Sequence, residues 1–200
     1  CQGLIRKINM PSKYRKAIKA LIAFKKVFDK IEPKIPRKLA GDIGEFYVLR
    51  ELEKRGFKCE HRGGQAGCDI HIDLLNKRVE VRTSLLKNEG IFKAGINFFG
   101  WRIQDRKQKK EKKFDVLVCV ALDDKFIKPN FYIFTHKEAF SVDDVNIGRF
   151  PNVKKKICLF ENAKALKDAI RTKPELITRF EKYFNQNSLK FRDKWFKINK

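Results

Sequence analysis

Residues 67–84 read GCDIHIDLLNKRVEVRTS. Asp69, His71, Asp73, Arg78, Glu80 and Arg82 alternate with Ile70, Ile72, Leu74, Val79 and Val81. Successive side chains of a strand point to opposite faces, so the stretch predicts two strands, 68–74 and 78–84, turning at Leu75-Asn76-Lys77. The expected pairing sets Asp69 opposite Arg82, His71 opposite Glu80 and Asp73 opposite Arg78, with every apolar residue on the core side. A hairpin with one wet face often carries salt-bridged cross-strand pairs. The alternation alone therefore fits a solvated hairpin as well as a polar site.

The segment before it bears on that choice. Arg37 to Arg55 reads as a helix stopped by Gly56. At about 100° per residue, Val48, Leu49 and Leu52 form its buried stripe, widened by Ile43 and Phe46. Glu45 projects into the same stripe, although Glu51 and Lys54 show that solvent-facing positions exist. A carboxylate on an apolar face costs several kcal/mol unless something pairs with it. Either Glu45 has a structural partner such as Arg82, or the helix is less buried there, or Glu45 is a third acid aimed at the spot that Asp69 and Glu80 occupy.

The charge balance makes such acids notable. Forty-seven Lys and Arg stand against 24 Asp and Glu, a net charge of +23 with a pI near 9.9. A soluble domain commonly lies within about 8 charges of neutral, and a field this positive favours a polyanion, above all nucleic acid. No apolar run approaches the roughly 20 residues that span a bilayer, so no membrane partner is expected. Five cysteines are scattered and never in CxxC spacing, the pattern of reduced thiols in a cytoplasmic protein. The opening CQGLIRKINM has no signal-peptide core and no initiator Met, as expected of a trimmed or partial chain.

An apolar fraction of 42% over 200 residues suits a globular domain. Tyr14, Ile18, Leu21, Ile22, Val27, Phe28 and Ile31 predict an N-terminal helix after Pro11-Ser12, and Pro33 and Pro36 end it. FKCEH (57–61) is a further strand, joined to 68–74 by RGGQAG. GWRIQDRKQKKEKK (100–113) is expected to be a basic helix. FDVLVCVAL (114–122) predicts a central strand buried on both faces. FYIFT (131–135) and KKICLF (155–160) read as strands, followed by helices at 161–171, 174–186 and across LKFRDKWFKI (189–198). The order α-β-β-β-α-β then gives an α/β domain with a mixed sheet. Expected segments are a basic helical arm (1–36), a core (37–160) and C-terminal helices (161–200) that pack on the core or at a dimer interface.

Acids that converge in so basic a protein repel the polyanion the rest attracts, and a divalent cation resolves the conflict. Mg²⁺ takes oxygen ligands and keeps several waters, so two or three carboxylates with a phosphate oxygen suit it. Bound metal polarises a phosphate and lowers the pKa of an attacking water, while a nearby cation stabilises transition-state charge.

These residues resemble the PD-(D/E)XK nuclease superfamily, which includes many type II restriction endonucleases and archaeal Holliday-junction resolvases. The resemblance spans about 37–135: the helix with GDIGEF (Glu45), the acidic strand with Asp69, and the strand Glu80-Val81-Arg82. It implies a restriction-endonuclease-like αβββαβ core, with helices flanking the central mixed sheet and helical extensions at both ends. It implies Asp69 and Glu80 as ligands of Mg²⁺ (Mn²⁺ as substitute), the Val81 carbonyl as a further ligand, Glu45 as the helix acid and Arg82 in the catalytic lysine position. Cys68 stands where the family often has Pro. Arg82 for Lys is the larger departure, since a guanidinium stays charged and is no general base; Lys77 and Lys87 are alternative cations.

Arg62 and Gln65 in the glycine-rich loop, Lys87, and Arg102 and Lys107 in the basic segment are candidate DNA contacts. His61 and His71 lie near the acids, with His71 the better candidate for a supporting role, while three scattered histidines argue against zinc. Phe180, Phe184, Phe191, Trp195 and Phe196 alternate with basic residues, and core or dimer packing is favoured over base stacking. The expected function is Mg²⁺-dependent DNA cleavage by a homodimer cutting a symmetric site, without a small-molecule cofactor. The alternatives are a junction-resolving nuclease, or a nucleic-acid-binding protein on an inactive nuclease scaffold.

Overall fold

The computed structural model describes residues 13–28, 37–63, 68–85, 98–105, 113–123, 125–141, 153–160, 171 and 188–199. In chain order these form α1 (Lys13–Phe28), α2 (Arg37–Lys54), β1 (Cys59–His61), β2 (Ile70–Ile72), β3 (Lys77–Leu85), β4 (Phe98–Asp105), β5 (Val116–Leu122), β6 (Asn130–Thr135), α3 (His136–Ser141), β7 (Val153–Phe160), α4 (Ser188–Phe191) and a 3-10 turn at Trp195–Asn199.

Five strands make one mixed sheet in the order β1-β2-β3-β5-β6. Among the described strands only β3 and β5 run parallel, Val79 facing Val116 through Leu85 facing Leu122. β4 and β7 pair separately as an antiparallel ribbon. The odd-numbered positions of β3 and the even-numbered ones of β5 turn Val79, Val81, Val116, Val118 and Val120 toward α1 and α2, against Ile43, Leu49 and Leu52. The opposite face of β5, Leu117, Cys119 and Ala121, packs on Phe99, Trp101 and Ile103 of β4, with Ile157 and Phe191 closing the cluster. β5 is therefore buried throughout, as its unbroken apolar run predicts.

The ribbon is fastened by polar contacts as well. The Trp101 indole N–H donates to the Val120 carbonyl at 3.1 Å, and the Gly100 N–H donates to Ser84 Oγ at 3.1 Å. α2 stops where the sequence places its end: Gly56, at φ 84°, turns the chain, and the Phe57 N–H returns to the Leu52 carbonyl at 3.1 Å. α1 lies against α2, with Tyr14 and Ile18 in the main core.

Three expectations need correction. The basic helix expected over 100–113 is strand where described: Phe99, Trp101 and Ile103 alternate as buried residues of β4. Their period of two outweighs the basic residues around them. The helix expected across 189–198 is split into α4 and the 3-10 turn, because Asp193 takes a left-handed φ of 53°. Phe191, Trp195 and Ile198 are core residues, whereas Phe196 is exposed. Leu74, grouped with the apolar face in the sequence, is 84% exposed in the turn after β2. The segments 106–112 and 174–186, and 161–170 of the expected helix at 161–171, lie outside the described residues. Among the described residues no helix is long and apolar enough to cross a membrane.

Candidate active site

The hairpin that the alternation predicts exists, in a different register. Ile70 faces Val79, His71 faces Arg78 and Ile72 faces Lys77. β2 is three residues long and the turn takes Asp73–Asn76, with Asn76 at φ 46°. A four-residue turn that begins one residue earlier than the expected pairing implies shifts every expected pair by two residues. An even shift keeps each side chain on its face, so the polar side survives while its partners change. Asp69 lies beside Val79–Val81 rather than opposite Arg82, and Arg78 faces His71 rather than Asp73.

Asp69 sits one residue before β2, at the point where β2 leaves β3. Its N–H donates to the Val79 carbonyl at 3.2 Å, and its Oδ2 accepts the Val81 N–H at 2.8 Å. The side chain continues the hydrogen-bond ladder that the strand has given up, which fixes the carboxylate against β3. Asp69 is 5% exposed and Glu80 1%. Two positions along the same face, Arg82 folds back: its Nη2 lies 2.5 Å from Glu80 Oε1, and its Nη1 makes a long 3.5 Å approach to the Val81 carbonyl. The expected alternative cation Lys77 faces Ile72 at the far end of β3.

Glu45 reaches this region because α2 presses closely on β3. A Cβ on Gly44 would stand 1.9 Å from Thr83 Oγ1 and 3.0 Å from Thr83 Cβ, so only glycine permits the approach. The partner of Glu45 is His61 rather than an arginine: Nε2 and Oε2 are 2.6 Å apart. The imidazole also packs on the Phe46 ring, centroids 5.4 Å apart. Burial raises the pKa of the Glu45 carboxyl; the His61 hydrogen bond opposes the rise, and the nearby charges of Asp69 and Asp42 add to it. The two predicted histidines thus exchange places. His61 joins the helix acid, while His71 is held by the turn, 3.1 Å from Asn76 Oδ1 and 3.5 Å from Asp73 Oδ1. β1 pairs His61 with Ile70, next to Asp69, and that cross-strand pairing was the signal to follow.

Of the candidate DNA contacts, Arg62 is placed beside the acids: its N–H donates to the Asp69 carbonyl at 2.8 Å and its Nε to Glu60 at 2.8 Å. Arg102 lies in β4 opposite Lys156. Gln65, Lys87 and Lys107 lie outside the described residues.

Whether these donors suit Mg²⁺ follows from their chemistry. Among the described residues no three His, Cys, Asp or Glu side chains form a metal cage. Asp69, Glu80 and the Val81 carbonyl offer only oxygens, and Mg²⁺ asks for one or two carboxylates plus waters and phosphate oxygens. Asp69 and Glu80 are both buried, and the Asp69 charge contributes to the raised pKa of Glu45, while Arg82 offsets Glu80. The set fits the ion, provided that the Arg82 guanidinium, which lies on both Glu80 and the Val81 carbonyl, moves aside.

No family model matches the chain, and no curated protein matches it in sequence. Among solved structures, a bacterial homing endonuclease, I-Ssp6803I, is similar at 21% sequence identity and a TM-score of 0.46, over 80% of this chain and 89% of that one.

Proposed function

We propose that the chain is an Mg²⁺-dependent DNA endonuclease of the restriction-endonuclease-like kind, working as a homodimer on a short symmetric sequence, with Mn²⁺ able to replace Mg²⁺. The observation that carries the reading is the acid pair. Asp69 and Glu80 are both nearly inaccessible on one face of the β2–β3 hairpin of a protein whose net charge is +23. Each costs several kcal/mol to desolvate, offset here by the Val81 N–H for Asp69 and the Arg82 guanidinium for Glu80.

In this reading Asp69, Glu80 and the Val81 carbonyl hold the ion. When bound it polarises the phosphodiester and makes water a stronger nucleophile. The chain's own groups do the remaining work. The Val81 N–H fixes the orientation of Asp69. Arg82, released from Glu80, turns its guanidinium to the phosphate oxygens, where planar donors match the charge that develops. Arg82 cannot take a proton. The Glu45–His61 pair can, because an imidazole held by a carboxylate accepts one and is kept oriented while it does so.

A second reading, a nucleic-acid-binding protein that no longer cuts, is favoured by one observation: the Arg82 guanidinium already neutralises Glu80. The two part on a single experiment. Linear duplex and four-way junction DNA are incubated with the protein in Mg²⁺ or EDTA, alongside a gel shift. Mg²⁺-dependent fragments ending in 5′-phosphates, from duplex at one short sequence, support the first reading. Preference for junctions whatever the sequence moves the substrate to branched DNA. Shifted but intact DNA in both conditions leaves the binding module.

A further inference from the structure

A second polar feature lies on the Glu80 face of the sheet, two residues back along β3. Arg78 faces His71 across the β2–β3 pairing. Its Nε and Nη2 grip the two oxygens of Asp115 at 3.1 and 3.2 Å, and its main-chain N–H donates to Asp115 Oδ2 at 2.8 Å. Together with Arg62 and Asn76 these side chains line a cavity of about 330 Å³.

The lining defines the ligand chemistry. Two guanidiniums and an imidazole line the cavity with one carboxylate, Asp115, which Arg78 engages by three hydrogen bonds, while Glu60 and Asp73 contact Arg62 and His71 from outside the lining. The Arg78–Asp115 pair uses the Nε/Nη2 edge and leaves the Nη1 end outside the pair. The Arg62 link to Glu60 likewise uses Nε alone. Arg78 is thus braced by its bidentate pair, and in both groups donors remain outside those pairs, a chemistry that suits a tetrahedral oxyanion. Apolar ligands have nothing to bury against in this lining, and the volume exceeds that of a bare oxyanion, leaving room for an attached sugar.

The cavity also adjoins the acid pair. The Arg62 N–H holds the Asp69 carbonyl, and buried Cys68 lies within the electrostatic reach of Arg62, Arg78, Asp69 and Glu80 together. Positions 78 and 80 are about 7 Å apart along a strand.

We infer that the Arg62–His71–Arg78 cavity is a phosphate pocket that holds a nucleic-acid backbone phosphate next to the one attacked at Asp69 and Glu80. The identity of that neighbour rests on the nuclease reading, whereas the recognition of phosphate does not. Two binding measurements in EDTA, on the full chain, test it without relying on cleavage. Inorganic phosphate is titrated into the ¹⁵N-labelled protein, and duplex DNA affinity is followed by anisotropy over a range of NaCl for wild type, Arg62→Gln and His71→Gln. Arg62 and His71 are chosen because Arg78 also braces Asp115.

The pocket predicts saturable shifts at residues 62, 71 and 76–78, weakened in both variants. It also predicts that Arg62→Gln flattens the plot of log K against log[NaCl] by about 0.9, the loss of one phosphate contact. Shifts spread over other surfaces, or none that saturate, overturn the pocket. Phosphate binding at these residues with an unchanged DNA slope overturns the backbone assignment and leaves a free-phosphate site. If DNA is never cut yet both results appear, the nuclease reading fails and the pocket stands; if DNA is cut and neither appears, the reverse holds.

Discussion

Arg82 lies over Glu80 on one face of β3, Nη2 to Oε1 2.5 Å, with the carboxylate 1% exposed and the arginine side chain about one-third exposed. The pair links stability to function, because the charge that keeps Glu80 tolerable in the interior is also the cation nearest the proposed phosphate. Removing Arg82 therefore has two consequences. Arg82→Ala should destabilise the fold by about 2 kcal/mol, less than the about 3–5 typical of a fully buried pair because the guanidinium is partly solvated. A second substitution, Glu80→Gln, should recover much of that loss, which a denaturation double-mutant cycle reads directly. Additive effects would show that the pair is energetically idle.

Gly44 sets how closely α2 lies on β3. Gly44→Ala forces a methyl against Thr83 Oγ1, and overpacking of this kind costs about 1–3 kcal/mol. Thr83→Ala removes two of the three atoms that the methyl meets, so the double variant should be less destabilised than Gly44→Ala with an intact Thr83. Chemical denaturation of the four proteins provides the check.

Glu45 carries a pH signature. Its folded pKa is raised, first by burial, then by Asp69 and Asp42, with the His61 bond opposing. A raised carboxyl binds its proton more tightly in the folded state. Its favourable contribution is present below the unfolded carboxylate pKa and is lost as pH rises through the folded value. Glu45→Gln should therefore gain stability relative to wild type at neutral pH, and the gain should shrink in acid. Thermal melts at pH 4 and pH 7 measure the difference. Cleavage, by contrast, should fall, because an amide no longer supplies the negative charge that favours proton uptake at His61.

Lys197 fastens the C-terminal turn. Its Nζ binds both oxygens of Glu138 at 2.9 and 2.8 Å and the Ile133 carbonyl at 3.1 Å. Burial alone would raise the Glu138 carboxyl, but Lys197 and the Thr135 N–H outweigh it and hold the pKa below the usual range. That depressed value contributes stability above the unfolded pKa, lost as pH falls through the folded one. Lys197→Ala should cost on the order of 2 kcal/mol at pH 7, and the difference from wild type should narrow in acid. Equal loss at both pH values would assign the effect to packing.

The sequence carried much of this arrangement where a local pattern encodes it. Alternation placed Asp69, Glu80 and Arg82 on one face, and helical spacing turned Glu45 inward. What it misjudged depends on geometry that no local pattern contains. The register of the hairpin rests on the left-handed Asn76 and a three-residue β2, which moved every partner by two positions. His61 outranks His71 only because β1 pairs with β2 next to Asp69. The strand nature of β4 is written in Phe99, Trp101 and Ile103, whose period of two is masked by the run of basic residues from Arg102 onward. The Gly44–Thr83 contact was invisible, since a glycine in GDIGEF gives no hint of the strand residue it faces.

The central claim is that Asp69 and Glu80 hold the ion that cuts DNA. The most direct measurement is the Mg²⁺ dependence of cleavage by wild type, Asp69→Asn and Glu80→Gln, with folding verified by circular dichroism and DNA binding by anisotropy. Mg²⁺-dependent cutting that falls by at least about 10³ in both variants, while fold and binding persist, is the predicted result. Undiminished cutting in either variant, or wild-type protein that binds DNA and leaves it intact at every Mg²⁺ concentration, would contradict it.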